Sequence, residues 1–283
     1  MIILDKVDST FIHDIEKTGE MFQRGVRETR FNSYDRVYFD TNEACDDIIS
    51  KYDFKDKKVL TVLASGDQAF QFYKNGAKSV DLFDINKLTF YYYYLRIWHM
   101  RKYHEMYPRW DKLDNNYINE LLLSVKPESK DELLAYNYWI CFINKFDSKM
   151  IKRFLIPPYY ADIYSESDPE LILERINNDN FKFYHTDISG VVDIPQKYDF
   201  IYTSNLSDYV KKDKLVLYRE NLYNYLNKGG IVLSSCLNGA ETEQKRFMKK
   251  YFKYRKLFSY DEDLCSLDLV GYRYKKRMVK RII

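Results

Sequence analysis

The sequence predicts an α/β protein built on a doubly wound, mostly parallel seven-stranded sheet, with a helical insertion between its second and third strands. Three observations carry that reading. Residues 58–84 fit a strand, a tight turn, a helix and a second strand into about thirty residues, a βαβ unit whose crossover is right-handed and parallel. Short apolar runs rich in β-branched residues recur downstream, separated by helical segments. The stretch 85–180 is too long for one crossover helix and carries helix signals of its own.

Residues 1–57 read as a helical and irregular segment packing on the core, with Asp40-Thr41-Asn42-Glu43 as a helix start leading through Ala44, Ile48 and Ile49. Lys58 to Ala64 is an apolar run short enough for a strand buried on both faces. It stops at Ser65-Gly66-Asp67, and the helix that follows closes at Gly76. Ser79 to Asp84 is the second strand. Asn86 opens a long helix to about Met106, where Phe90, Tyr93, Tyr94, Ile97 and Trp98 recur at helical spacing before Pro108. The tyrosine run 91–94 therefore reads as helix packing. Helices follow over Asp131–Phe146 and after Asp168-Pro169, where aspartate caps and proline takes the first helical position.

Strands are expected at 181–185, 198–204 and 231–236, with a helix from Asp213 to Asn227 ending at Gly229-Gly230. The tail offers a helix over Glu241–Phe252, a strand near 254–258 and a last strand near 267–276. The domain reading is thus a sheet domain of 58–106 with 181–283, and a helical insertion, 107–180, as cover for an acceptor.

Composition removes several classes. Of 283 residues, 46% are hydrophobic and 31% charged, enough for a core and too apolar for disorder. No stretch free of Asp, Glu, Lys and Arg is longer than the dozen residues from Gly229 to Ala240, short of the ~18 residues of a membrane span. Charge at Asp5 and Lys6 speaks against a secretory leader. Cys45, Cys141, Cys236 and Cys265 form no paired motif, the usage of a reducing compartment, so a cytoplasmic protein is expected. His13, His99, His104 and His185 make no ligand set, and no metal is expected.

The net charge of +3 is uneven: Lys245–Ile283 holds 13 basic against 4 acidic residues, a balance of +9. Such a tail suits a solvated edge or an anionic partner. No aromatic–basic interleaving of a nucleic-acid module is present, so no DNA is expected and RNA ranks last.

Ligands of open parallel sheets bind beyond the carboxyl ends of the strands. Here those ends are Leu63–Asp67, Asp84–Asn86, Asp187–Ser189, Ser204–Leu206 and Cys236–Gly239. Gly66 permits close backbone approach, and Asp84, 18 residues further on, suits a ribose diol. An aspartate at a strand end also caps helices, so the pair alone is weak.

The segments VLTVLASGDQAF (59–70), SVDLFDIN (79–86), HTDI (185–188), YDFIYTSNL (198–206) and YLNKGGIVLSSC (225–236) resemble the successive motifs of class I S-adenosylmethionine-dependent transferases. The pairing of S-G-D with F-D-x-N and a strand ending S-N-L is similar to the branch that includes the betaine-lipid 3-amino-3-carboxypropyl transferase. The resemblance covers about residues 38–106 and 181–240. It implies a Rossmann-like methyltransferase sheet with S-adenosylmethionine as cofactor. Leu63, Ala64, Ser65, Gly66 and Asp67 would surround the amino-acid part, with the ammonium at Asp67. Asp84, Ile85 and Asn86 would meet the ribose, Asp187 and Ile188 the adenine, and Ser204 and Asn205 the reacting centre.

Two departures stand out: Thr61 replaces the usual acid on the first strand, and the glycine-rich run is reduced to Ala64-Ser65-Gly66-Asp67. Asn205, Tyr38 and Tyr209 are the catalytic candidates, although both tyrosines also suit a pocket wall. Asp208 suits a turn, and His99 is explained as well by packing as by a lid. The expected activity is transfer of a methyl or 3-amino-3-carboxypropyl group to a small-molecule or lipid-like acceptor. The alternatives are a catalytically silent cofactor-binding protein with a partner-docking tail and, last, an RNA-modifying enzyme. The oligomeric state is open.

Overall fold

The computed structural model describes residues 10–24, 33–41, 49–158, 168–190, 193–204, 206, 210, 214–236, 258–261, 266–269, 272–275 and 277–282. The chain forms two compact units. The first comprises Met1–Cys45, Leu63–Lys74 and Asp84–Asn178; the second comprises Asp46–Val62, Asn75–Phe83 and Asp179–Ile283.

The first unit is helical and organised around Leu88–Tyr103. Every residue of that helix from Leu88 to Met100 is buried. A helix apolar all round belongs in a core, and its polar atoms must then find partners inside. Tyr91 and Tyr34 both donate to the buried Asp14 carboxylate on the N-terminal helix Thr10–Gln23. Tyr92 donates to Phe39 O at 2.8 Å, and Trp98 to Glu132 Oε1 at 3.2 Å. The Tyr91 ring lies flat on Tyr138, centroids 3.8 Å apart. The tyrosine run is therefore packing, as its spacing suggests.

Capping sets the flanking helices. Asp114 accepts from Tyr117 N at 2.9 Å to start Asn115–Ser124, and Ser129 accepts from Glu132 N at 3.0 Å to start Lys130–Lys145. Asp168 accepts from Leu171 N at 3.1 Å, with Pro169 opening Pro169–Asn178. Between these last two helices lies Met150–Phe154. It leads into the short strand Leu155–Ile156, which pairs in parallel with Val37–Tyr38.

The second unit carries the sheet. Its strand order is Phe183–His185, Ser79–Asp84, Lys58–Val62, Tyr198–Tyr202, Leu226–Cys236, Arg277–Ile282, Phe258–Asp261. Strands 79–84, 58–62, 198–202 and 226–236 run parallel in turn. Strand 277–282 is antiparallel to 226–236, and 258–261 is antiparallel to 277–282. The core packs Leu60, Val62, Phe83, Ile188, Ile201 and Val232 with Tyr218 and Leu222 from the helix Leu215–Asn224. Asp81, inside a strand, is satisfied by Lys182 N and Tyr198 OH, both at 2.8 Å.

The expected α/β class and parallel strands are present, but the tail differs. A single strand near 267–276 was expected. Ser266–Leu269 and Tyr272–Lys275 instead pair with each other antiparallel, outside the sheet. The sheet takes up 277–282 in their place. The expected helix over 241–252 and the helix start continuing through Asn42 to Ile48 lie outside the described residues. Among the described residues, no helix is long and apolar enough to cross a membrane.

Candidate functional site

In the first unit, the segment after the first strand folds as a tight turn. Gly66 N donates to Leu63 O at 2.6 Å, with Ala64 at φ 46° and Gly66 at φ 94°. A Cβ at Gly66 would lie 2.9 Å from Cδ2 of Tyr93, so helix packing already requires the glycine.

Asp67 opens the helix Asp67–Lys74 and is saturated. Its Oδ1 accepts from Arg96 Nη1 at 2.7 Å and Tyr107 OH at 2.5 Å; its Oδ2 accepts from Thr41 N and Ser65 Oγ, both at 2.7 Å. Arg96 is fully buried, between the rings of Phe70 and Tyr107 at 4.7 and 4.2 Å. It also donates to Ser65 O and Met106 O. Burial works against its charge, but Asp67 beside it more than offsets this and holds the guanidinium above its ordinary value. The expected contact between Asp67 and a ligand ammonium is therefore not available: both oxygens are committed.

Asp84 is different. It ends the second strand, is buried, and accepts Ala64 N–H on Oδ2 and Asn86 N–H on Oδ1, each at 2.8 Å. No cation pairs with it among the described residues. Burial pushes its carboxyl up to about 6, against the backbone donors of Asn86, Ala64 and Ile85 and the Thr89 hydroxyl, which pull it down. These bonds bring Asp84 and the Leu63–Asp67 turn together, as the motif order suggests.

Ile85 is half-buried. Asn86 is taken up internally: its Oδ1 accepts from Asp35 N and Leu88 N, and its Nδ2 donates to Asp35 O. Its amide thus fastens residues 35–36 to the start of the long helix, which leaves little for a ribose. Tyr38 is half-buried in the short strand beside 155–156.

In the second unit, Asp187 Oδ1 accepts from Ser189 N and Oγ, and its Oδ2 meets Lys214 Nζ at 3.3 Å. Partial burial raises its carboxyl, but these donors outweigh that and leave it below its ordinary value. Ile188 points into the core cluster, and its carbonyl accepts from Asn221 Nδ2 at 2.9 Å. Ser204 is buried at φ 51°. Asn205, Asp208 and Tyr209 lie outside the described residues.

His99 is buried, with Nδ1 bonded to the Tyr117 hydroxyl. Burial, then the nearby Arg96 charge, lowers its pKa to about 4 and keeps it neutral near pH 7. No group of three or more metal-ligating side chains occurs among the described residues.

The sequence reading missed Arg96, Tyr107 and Thr41. Arg96 had a signal: it is the single charge in Tyr91–Met100, inside a helix whose neighbours are all core types.

No family model and no curated protein matches the chain. Among solved structures, it is similar over 87% of its length to a ribosomal protein L11 methylase from Lactobacillus delbrueckii subsp. bulgaricus, at 14% identity, TM-score 0.40, covering 81% of that chain. It is similar over 97% to the N-methyltransferase NodS from Bradyrhizobium japonicum WM9, at 8% identity, TM-score 0.41, covering 98%. A TehB-like SAM-dependent methyltransferase from Corynebacterium glutamicum matches over 97%, at 10% identity, TM-score 0.43, covering 99%.

Proposed function

We propose that the protein is an S-adenosylmethionine-dependent transferase whose Asp84 carboxylate binds the ribose hydroxyls of the cofactor. The observation that carries this reading is the state of Asp84. A carboxylate buried at a strand end, held by backbone N–H groups and the Thr89 hydroxyl but by no cation among the described residues, keeps an uncompensated charge that the hydroxyls of a diol can share. Such a charge is costly in the ligand-free protein and is stabilised when a diol supplies further donors. Asp67, by contrast, is held by Arg96 and serves the turn.

The bound cofactor would supply a sulfonium-activated carbon. The protein's part is then orientation in a dry site, since alignment carries most of the barrier reduction in such transfers. The turn around Gly66 and the Asp84 carboxylate would hold the nucleoside end in register. For Asp187 and Ile188 an adenine contact remains a separate proposal resting on the motif resemblance; loss of adenosine-type binding in Asp187→Ala would support it. The acceptor is a small or lipid-like molecule, with the 107–180 helices as its cover.

Calorimetric titration with S-adenosylmethionine, S-adenosylhomocysteine and methylthioadenosine tests the reading, alongside Asp84→Ala. Binding by the intact protein and its loss in the variant are expected. Failure of all three to bind the intact protein refutes the transferase. Turnover products then divide the two chemistries: S-adenosylhomocysteine reports methyl transfer, and methylthioadenosine reports aminocarboxypropyl transfer.

A further inference from the structure

Beside Asp67 stands a second buried polar side chain that the fold leaves incomplete. Gln68 is 1% exposed in the first turn of the Asp67–Lys74 helix. Its Nε2 donates to Thr41 Oγ1 at 3.3 Å, while its Oε1 has no hydrogen-bond partner among the described residues. A buried carbonyl oxygen without a donor is uncommon in native proteins and marks a place where a donor is missing. Asp67 cannot take that donor in its stead, because it already accepts from Arg96, Tyr107, Ser65 and Thr41.

We propose that Gln68 Oε1 accepts a hydrogen bond from the α-ammonium group of the ligand's amino-acid end, an assignment that rests on the transferase reading above. The electrostatics of this corner favour a side-chain acceptor. The N-terminal amides of a helix present positive partial charge, which suits the ligand's carboxylate and disfavours its ammonium. The ammonium therefore needs an acceptor that Arg96 has not neutralised. Thr61 stands where the resembled family carries an acid, and its hydroxyl contacts Val62 O at 3.2 Å. Gln68 supplies a neutral carbonyl oxygen two residues after Gly66, with Thr41 fixing its amide.

The test is calorimetry on the full chain with three ligands. S-adenosylhomocysteine carries both amine and carboxylate, its decarboxylated analogue keeps only the amine, and methylthioadenosine lacks the whole amino-acid end. Gln68→Leu is expected to weaken the two amine ligands about tenfold or more, the scale of one hydrogen bond to a charged group. Methylthioadenosine should change by less than about twofold. Gln68→Glu, which keeps the acceptor, should hold or tighten both amine ligands and reads the proposal independently should the leucine variant fail to fold.

Equal loss for all three ligands, or no loss for the amines, overturns the assignment. So does a loss confined to S-adenosylhomocysteine, which would make the carboxylate the partner. Asp84→Ala separates the two levels of argument. If it abolishes binding of all three while Gln68→Leu affects none, the transferase reading stands and the Gln68 assignment falls. If the unaltered protein binds none of the three, both fall.

Discussion

Asp84→Asn should make the ligand-free protein's stability less sensitive to pH while impairing nucleoside binding. An ordinary aspartate titrates at 3.8, and Asp84 titrates at about 6 because it is buried. The folded protein thus binds this proton more tightly than the unfolded chain does. Stability is lost as pH rises from the lower value through the higher, and the full penalty, about 3 kcal/mol for a shift of about two units, stands above pH ~7. Asparagine carries no such penalty, but it keeps one acceptor where the carboxylate had two. One of the N–H groups of Ala64 and Asn86 then faces an amide NH2, a pH-independent loss of ~1–3 kcal/mol. At pH 8 the variant should therefore lie between equal to wild type and ~2 kcal/mol more stable. At pH 4 the comparison should have moved against it by ~2 kcal/mol. Urea unfolding of both proteins at pH 8, 6 and 4 measures that movement, and other titrating groups cancel between them. A gap between the two proteins constant with pH to within about 0.5 kcal/mol would refute the argument that Asp84 is buried without compensation. Ligand binding should show the opposite trend: wild-type nucleoside affinity should fall below pH ~6 by up to tenfold per unit, and the variant's should stay low and flat.

Three further outcomes follow from the same geometry. Gly66→Ala places a methyl 2.9 Å from the Tyr93 ring at φ 94° and should lower stability by ~1–3 kcal/mol, read as a fall in thermal midpoint. Arg96→Met leaves the Asp67 carboxylate buried without its cation and should cost ~3–5 kcal/mol in denaturant unfolding; Arg96→Lys should recover only part, since one ammonium cannot span Asp67, Ser65 O and Met106 O. The His99 ring protons should show no titration in NMR spectra between pH 8 and 5. Because its folded pKa of about 4 lies below the ordinary 6.5, it should contribute a loss of stability as pH falls through that interval.

The parts of this fold that could be read in the sequence are those where one local rule decides. The 58–84 unit has its strands, its glycine turn and its helix written consecutively, and the Asp168-Pro169 start needs only its own cap. The place of Asp84 at the end of its strand was legible because the apolar run stops there. What failed were assignments that depend on partners remote in sequence. Asp67 looked available because Arg96 is 29 residues away and Tyr107 is 40 away, and the closure of the long helix onto the turn is a tertiary event. Asn86 looked like a ligand residue for the same reason, its partner at Asp35 being 51 residues distant. The tail failed differently: one strand or two paired strands share the same alternation, and alternation alone does not tell them apart.

The two acids of the site show how role can be assigned by partners more securely than by motif. Asp67 and Asp84 both stand at or just beyond the carboxyl end of a strand, both are almost fully buried, and both fall at positions where the resembled family binds its cofactor. Yet one is paired with a fully buried guanidinium and three further donors, while the other meets backbone amides and the Thr89 hydroxyl and, among the described residues, no positive charge. A carboxylate with every lone pair taken stabilises the fold and has nothing left to offer a ligand. A buried carboxylate with no cation beside it weakens the fold, and that cost is the reason for proposing Asp84, and not Asp67, as a ligand group. On this criterion Gln68 belongs with Asp84: its amide nitrogen is engaged by Thr41, and its oxygen has no hydrogen-bond partner among the described residues.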